Sequence, residues 1–286
     1  MKYKFIMENR KEFRVGKMCK VLNVSRSGYH NYLKRRIGSR GKDEYIILEM
    51  IKEIHRDSRG LYGSPRIYQE LRRRGIKVNK KRVVRIMRKY GIRAKTKRKF
   101  KKTTNSNHSS PIAKDLIGQN FKTSKSNKIW VSDITYIWTK EGWLYLACIL
   151  DLYSRMIVGW CLDQRLTSSL VTTAISNAII QRGENPGIIF HSDRGSQYAS
   201  EAVRDMLMDN KMIQSMSRKG NCYDNAVMES FFHTLKTELV KFETFRTREE
   251  AKMKIFDYIE IYYNRQRIHS AISYFTPVEP AFRRQV

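Results

Sequence analysis

Three consecutive runs of aromatic and β-branched residues, separated only by tight turns, constrain this chain most. Residues 128–139 read KIWVSDITYIWT, residues 143–152 WLYLACILDL and residues 155–162 RMIVGWCL. Each has the length and composition of a strand. Lys140-Glu141-Gly142 joins the first two, and Tyr153-Ser154 leads to the third. Connections this short join antiparallel neighbours, because a parallel pair needs a crossover of about a dozen residues. The runs therefore predict an antiparallel meander.

Beyond residue 162 helical and strand patterns alternate. Residues 167–182 carry apolar residues at helical spacing, with Leu170, Ala174, Ile175, Ala178 and Ile179 on one face. A break at 183–186 precedes an apolar strand at 188–191, a helix at 199–209 and a short strand at 213–217. A long helix from about 224 to 240 and a last one over 248–263 complete the order. The order βββ-α-β-α-β-α predicts an α/β domain of the ribonuclease H-like type, a mixed sheet with helices on both faces.

The chain carries 57 Lys and Arg against 27 Asp and Glu, a net charge of +30. This excess implies a polyanionic partner, and nucleic acid fits better than a membrane surface. No apolar run approaches the ~18 residues of a membrane span, and the N-terminus lacks a signal peptide's apolar core. Cys19, Cys148, Cys161 and Cys222 form no C-x-x-C pair, so neither a zinc knuckle nor a disulfide framework is indicated. These features predict a reduced, cytoplasmic, nucleoid-associated protein without a membrane.

The basic charge is concentrated. Residues 71–114 hold no acid, and 18 of those 44 positions are Lys or Arg. The sequence divides into residues 1–60, a helix-turn-helix segment with a connecting helix; 61–94, a second helix-turn-helix-like segment; 95–127, a basic linker; and 128–286, the α/β core with its C-terminal helix. In the first segment Met18, Val21 and Leu22 give an apolar face, Asn23-Val24 a turn, and Ser25 a cap for a second helix. Arg26 and Ser27 at the start of that helix are candidates to face DNA base edges. In the second segment Ser64 reads as a cap with Pro65 at the first helical position, Gly75 as a stop, Asn79 as the next cap and Gly91 as the next stop. Val83, Val84 and Met87 are expected inside, and Lys80, Arg82, Arg85 and Lys89 outside, where they would meet phosphates. Ordinary helical hairpins with solvated charged faces would give the same pattern.

Three acids stand out. Asp133 lies in the middle of an apolar strand, Asp193 ends the fourth strand in "FHSDRGSQY", and Glu229 lies near the start of the long helix in "DNAVMESFFHTLKTE". Hard divalent cations need clustered oxygen ligands, and two-metal phosphoryl-transfer sites hold their ions with carboxylates. A lone Asp at a strand end also serves as a turn former, which is the reading for Asp151. His191, two residues before Asp193, is expected on the same face of the strand, orienting that acid. Lys236 and His233 share a helical face with Glu229, and Asp224 reads as that helix's N-cap. Repulsion among the acids predicts a loose loop around Asn221–Asn225 without metal. Tyr262, Tyr263, Asn264, Arg267 and His269 are candidate DNA contacts, with Asn264 alternatively capping a helix end.

"WVSDITY", "HSDRGSQY" and "DNAVMESFF", with 35 residues between Asp193 and Glu229, resemble the D, D, 35, E signature of retroviral integrases and related transposases. Together with "VSRSGYHNYLKR", "SRGLYGSPRIYQEL", "NKKRVVRIMRKYGI" and "YNRQRIHSAISYFTP", the chain resembles the second-frame (OrfB) product of the insertion-sequence-three family of transposases. Ser132 and "SAISYF" depart from the usual pattern without touching the acids. The resemblance implies that Asp133, Asp193 and Glu229 bind Mg²⁺, two ions for which Mn²⁺ substitutes, and catalyse DNA cleavage and strand transfer. It implies that Lys236 contacts the DNA end beside the cleaved bond. It also implies double-stranded DNA with terminal inverted repeats as substrate, a circular intermediate, an OrfA-type partner or fusion, and a homo-oligomer. Two other readings stay open: a DNA-binding regulator without catalysis, and a ribonuclease H-like nuclease that hydrolyses without joining.

Overall fold

The computed structural model describes residues 2–37, 40–95, 111–218 and 222–279. The chain forms two compact units, Met1–Ala94 and Lys95–Val286.

The first unit is helical. Helices α1 (Lys2–Glu8), α2 (Val15–Val21) and α3 (Arg26–Ile37) enclose Ile6, Met18, Cys19 and Tyr29. The turn between α2 and α3 closes through Asn23 at φ 50° and a 3.0 Å bond from the Val24 N–H to the Cys19 carbonyl. The Ser25 hydroxyl accepts the Gly28 N–H at 2.9 Å, as a cap should. Val21 departs from the expected face: it is 83% exposed, and Cys19 packs inward instead.

Helices α4 (Arg40–Asp57), α5 (Ser64–Arg73) and α6 (Lys80–Lys89) form the second helical group. They bury Leu48, Ile51 and Ile54 with Ile67, Leu71, Val83, Ile86 and Met87. Ile86 takes the inward place expected of Val84, which is only half-buried. The cap of α5 is Gly63 rather than Ser64, which moves Pro65 to the second helical position. Proline is tolerated there because its missing N–H has no partner in the first turn anyway. Gly75 and Gly91 end their helices at φ 78° and 69°, and the Asn79 side chain accepts the Lys81 N–H at 2.8 Å.

The second unit is built on a five-stranded sheet in the order β3-β2-β1-β4-β5. Its strands are β1 (Ile129–Thr139), β2 (Gly142–Asp151), β3 (Ile157–Asp163), β4 (Ile189–Ser192) and β5 (Ile213–Met216). The first three form the expected antiparallel meander, and β4 and β5 add in parallel. Helices α7 (Ser168–Arg182) and α8 (Glu201–Asp209) cover one face over a core that includes Trp130, Ile149, Val171, Ile175, Phe190 and Val203. Helix α9 (Ala226–Glu238) packs on β1. Helix α10 (Arg248–Phe256) continues into a π-helical segment, Asp257–Tyr263, where the sequence predicts one uniform helix.

Residues 111–127, read as the end of a basic linker, lie on this unit. Ile117 is buried, and the Leu116 N–H donates to the Ser215 hydroxyl at 3.0 Å. The rest of the linker, residues 96–110, falls outside the described residues. Asp151 is the turn former it was read to be. Its buried carboxylate accepts the N–H and hydroxyl of Ser154 at 3.0 and 2.6 Å and the Asn127 N–H at 2.9 Å.

Helix α7 sits so close to β3 that a Cβ on Gly159 would stand 2.3 Å from the Ala174 carbonyl oxygen. That neighbour is backbone and has no rotamer with which to yield. Gly159→Ala is expected to cost about 3 kcal/mol or more by overpacking, read as a lower urea midpoint at unchanged slope. Among the described residues no helix is long and apolar enough to cross a membrane.

Candidate active site

The register of the parallel pair brings the first two acids together. Val131 on β1 lies opposite His191 on β4. Two residues further along each chain stand Asp133, still on β1, and Asp193, just past the end of β4, close enough for the charge of Asp193 to act on Asp133. β4 ends at Ser192, so Asp133 lies where β1 loses that neighbour. The Ile134 N–H donates to the Asp133 carboxylate at 2.8 Å, and the Gly195 N–H to the Asp193 carboxylate at 2.9 Å.

Glu229 lies in the first turn of α9. Burial, then the charge of Asp193, and further Glu229, push the Asp133 carboxyl well above the usual carboxylate range; the Ile134 N–H and the Lys236 ammonium pull the other way. Lys236 is half-buried, and burial lowers its pKa while Asp133 partly restores it. Asp133, Asp193, Glu229 and Lys236 therefore share one electrostatic site. His233 on the same helix is exposed.

A buried polar network fixes the start of α9 against the sheet. The Asn225 amide donates to the Ser132 carbonyl at 3.0 Å, one residue from Asp133. The Ser132 hydroxyl lies 2.9 Å from the Tyr198 hydroxyl and donates to the Cys148 carbonyl at 3.0 Å, tying the Asp193 loop to β1 and β2. Asp224 is not the side-chain cap of α9. It accepts bonds from the backbone and guanidinium of Arg218 at 2.9–3.1 Å and from the Gln119 amide at 2.9 Å. Its carboxylate is committed to another loop, so it is unavailable to the helix N–H groups.

His191 likewise differs from expectation. Its Nε2–H donates to the Asp224 carbonyl at 3.0 Å, leaving Nδ1 to accept from the Ser215 hydroxyl at 2.9 Å. Burial lowers its pKa and favours this neutral form. It therefore supports the loop before Glu229 and makes no bond to Asp193. Arg218, Gln119 and Asn225 were not identified from the sequence; the acid immediately before an apolar helix was the only signal, and it read as a cap.

The hydrogen bonds from Arg218 hold the Asp224 carboxyl well below the usual range. A depressed folded-state value contributes stability that is present above the unfolded value, near pH 4, and is lost as pH falls below it. Asp224→Asn is expected to lower the melting temperature at neutral pH, with a loss of about 2 kcal/mol. The difference from the parent should shrink as pH falls from about 5 toward 3, which melting curves across that range will read.

The other candidate residues separate by burial. Arg26, Ser27, Lys80 and Arg85 are exposed and Arg82 is half-buried. Arg85 and Lys89 both reach Glu44, at 2.9 and 2.7 Å. Asn264 and Arg267 are buried and occupied, so they are corrected from DNA contacts to structural groups. The Asn264 side chain exchanges two 3.0 Å bonds with the backbone of Ile157 at the start of β3. Arg267 forms a two-pronged pair with Glu238, both bonds 2.8 Å, and donates to the His269 ring. His269 is half-buried with its ring against Tyr263. Tyr262 and Tyr263 are buried as well. The loop expected at Asn221–Asn225 begins outside the described residues, which resume at Cys222.

Among the described residues, no three carboxylate, imidazole or thiolate groups stand close enough to enclose an ion. The donor set nevertheless fits a hard divalent cation. It is all-oxygen, and the burial and the neighbouring Asp193 charge that raise Asp133 are what a bound cation would offset.

A mixed five-stranded sheet with an acid at the end of its central parallel pair and another on the packed helix defines an integrase-type polynucleotidyl transferase core. Residues 123–222 match the family model of the integrase core domain, residues 229–286 match a second integrase core domain model, and residues 42–100 match an HTH-like domain. The chain is 45% identical over 267 residues to an insertion element IS600 uncharacterized 31 kDa protein of Shigella sonnei, covering 93% of this chain and 97% of that one. It is 41% identical over 272 residues to transposase InsF for insertion sequence IS3A of Escherichia coli (strain K12), covering 94% of each. A chain from a simian T-cell lymphotropic virus intasome aligns at TM-score 0.49 and 16% identity, over 82% of this chain and 76% of its own. The chain belongs to the InsF-type transposases of the IS3 family of insertion sequences. It is an enzyme of DNA transposition, and DNA is its partner class.

Proposed function

We propose that Asp133, Asp193 and Glu229 are the catalytic acids of a DDE transposase that cuts a phosphodiester at each transposon end and transfers the freed 3′ end to a target. The observation that carries this reading is that the β1–β4 register ends two residues before Asp133 and Asp193, with the charges of Asp193, Glu229 and Lys236 all acting on Asp133. Two Mg²⁺ ions, or Mn²⁺ in their place, would supply activation of the attacking oxygen and neutralisation of the leaving one when bound. Asp133 must ionise to act as a ligand, so metal affinity rises with pH. Lys236 offers a point charge to the phosphate next to the cut. The 3′-hydroxyl attacks the target directly, with no covalent enzyme intermediate.

The DNA-reading part of the proposal assigns Arg26 and Ser27 to base edges and Lys80, Arg82 and Arg85 to phosphates. Residues 1–60 and 61–94 then act as two readers of the terminal inverted repeats, 95–127 as their connection, and 128–286 as the catalytic part. An OrfA-type partner or fusion and a multimer bridging two ends, working in the bacterial cytoplasm, complete the reading.

One assay tests it against its rivals. The protein is incubated with labelled terminal-repeat DNA, a target plasmid and Mg²⁺ or Mn²⁺. Joined products are the expected result; cleavage alone indicates a nuclease, and binding alone a regulator.

A further inference from the structure

A cavity of about 600 Å³ lies in the second unit, at the end of β1 away from Asp133. One bond fixes its position. The Leu152 N–H, in the cavity wall, donates at 3.1 Å to the carbonyl of Ile129, the first residue of β1. Asp133 stands four residues further along that strand, roughly 13 Å from Ile129. Three segments far apart in sequence form the wall: Phe121 and Lys122 before the sheet, Tyr153 and Arg155 between β2 and β3, and Ser273 and Phe275 near the end of the described chain. The volume falls within the roughly 300–1,000 Å³ of small-ligand sites.

The wall carries one sign of charge. Lys122 and Arg155 are cations, and among the described residues no Asp or Glu lines the cavity. Lys122 is exposed and Arg155 half-buried, and neither side chain has an ion-pair or hydrogen-bond partner among the described residues. Burial lowers the Arg155 pKa, and the Tyr263 hydroxyl and Asp151 carboxylate partly restore it. Asp151 is already committed, since its oxygens accept the Asn127 N–H and the Ser154 N–H and hydroxyl. Arg155 also holds φ 61°, and Ser273 in another part of the wall φ 55°. That left-handed region suits glycine or asparagine, and an arginine there is strained. A desolvated guanidinium on a strained backbone is costly for the fold, and such costs gather where a ligand is clamped.

We propose that this cavity binds a nucleoside phosphate, free or as part of a DNA strand, with the phosphate on Arg155 and Lys122 and the nucleoside against Phe121, Tyr153 and Phe275. A guanidinium without a counter-charge suits phosphate because its planar fork gives two parallel N–H···O bonds. Lys122 adds a point charge, and the Ser273 hydroxyl a further donor. The three rings supply flat apolar surface for a base. An inorganic anion would leave that surface unused, and an uncharged ring would leave both cations unpaired. The site is separate from the acids proposed for catalysis and does not need them.

The test titrates the full chain by calorimetry with deoxyadenosine monophosphate, deoxyadenosine and inorganic phosphate, in EDTA so that no divalent ion carries the phosphate. One monophosphate per chain is expected, bound on the order of tenfold more tightly than either fragment. Arg155→Gly should lose that tenfold while melting close to wild type, because glycine suits φ 61° and the side chain removed has no partner in the fold. Lys122→Ala, at an exposed position, should lose part of the affinity, and Lys140→Ala, exposed outside the cavity, none. Wild-type affinity in Arg155→Gly, a monophosphate no tighter than phosphate alone, or equal weakening by Lys140→Ala overturns the site. Arg155→Gly that melts well below wild type makes the guanidinium a structural group and overturns it too. A short DNA duplex that displaces the bound nucleotide supports the site and assigns its phosphate to DNA. Saturable nucleotide binding that the duplex leaves in place supports the site with a free nucleotide as its ligand.

Discussion

Asp193→Asn should reduce strand transfer by roughly a thousandfold or more, about 4 kcal/mol of transition-state stabilisation, while terminal-repeat binding stays within about twofold of wild type. The separation of effects arises from the two compact units, since the exposed cations proposed to read DNA lie within Met1–Ala94 and the acid in the other unit. Asparagine keeps the shape of the side chain and can still accept the Gly195 N–H. What it loses is the charge that a divalent cation requires. The metal-free protein gives a second readout with the opposite sign. Asp133 is raised by burial first and by Asp193 second, and a raised carboxyl opposes folding once pH exceeds its unfolded value. Removing the Asp193 charge relieves that opposition, so at neutral pH without metal the variant should melt no lower than the parent. A joining rate near wild type would remove Asp193 from the site.

Glu238→Ala has the largest expected effect on stability. Glu238 ends the helix that carries Glu229, and its carboxylate takes two bonds from Arg267 and one from the Tyr258 hydroxyl. The Arg267 and Glu238 side chains are only 5% and 11% exposed. Deleting the acid leaves a buried guanidinium without its counter-charge, which costs about 3–5 kcal/mol. For a unit of this size that corresponds to a fall of roughly 10 °C in melting temperature. The double variant Glu238→Leu/Arg267→Met should recover much of the loss, because a packed apolar pair avoids the desolvation of both charges. Activity should fall with Glu238→Ala below its melting range as well, since the far end of α9 loses its anchor.

The strands were legible because their signals are local, and the three acids proposed for the site stood out for the same reason. Alternation between aromatic and β-branched residues marked β1 to β3, and a side-chain or glycine boundary marked Asn79, Gly75 and Gly91. Asp133 stood out because a carboxylate within an apolar strand needs a reason. The supporting groups were hidden because their partners lie far off in sequence. Asn264 looks like a helix end until it is seen bonded to Ile157, 107 residues away. Asp224 looks like a cap until Arg218 and Gln119 claim its oxygens. His191 stands two residues before Asp193, yet its two ring nitrogens bind Ser215 and Asp224. Val21 and Ser64 were misplaced by a local ambiguity of one or two positions in short helices. The change from α to π winding at Asp257 has no signal in the residues that we can identify.

The central claim is that Asp133, Asp193 and Glu229 hold the metal ions that drive strand transfer. Electron paramagnetic resonance of Mn²⁺ titrated into the complex of the full chain with terminal-repeat DNA tests it most directly. Two tightly bound ions per chain are expected in wild type, with affinity rising with pH as Asp133 ionises, and at least one should be lost in Asp193→Asn and in Glu229→Gln. Wild-type Mn²⁺ occupancy in both variants would contradict the assignment.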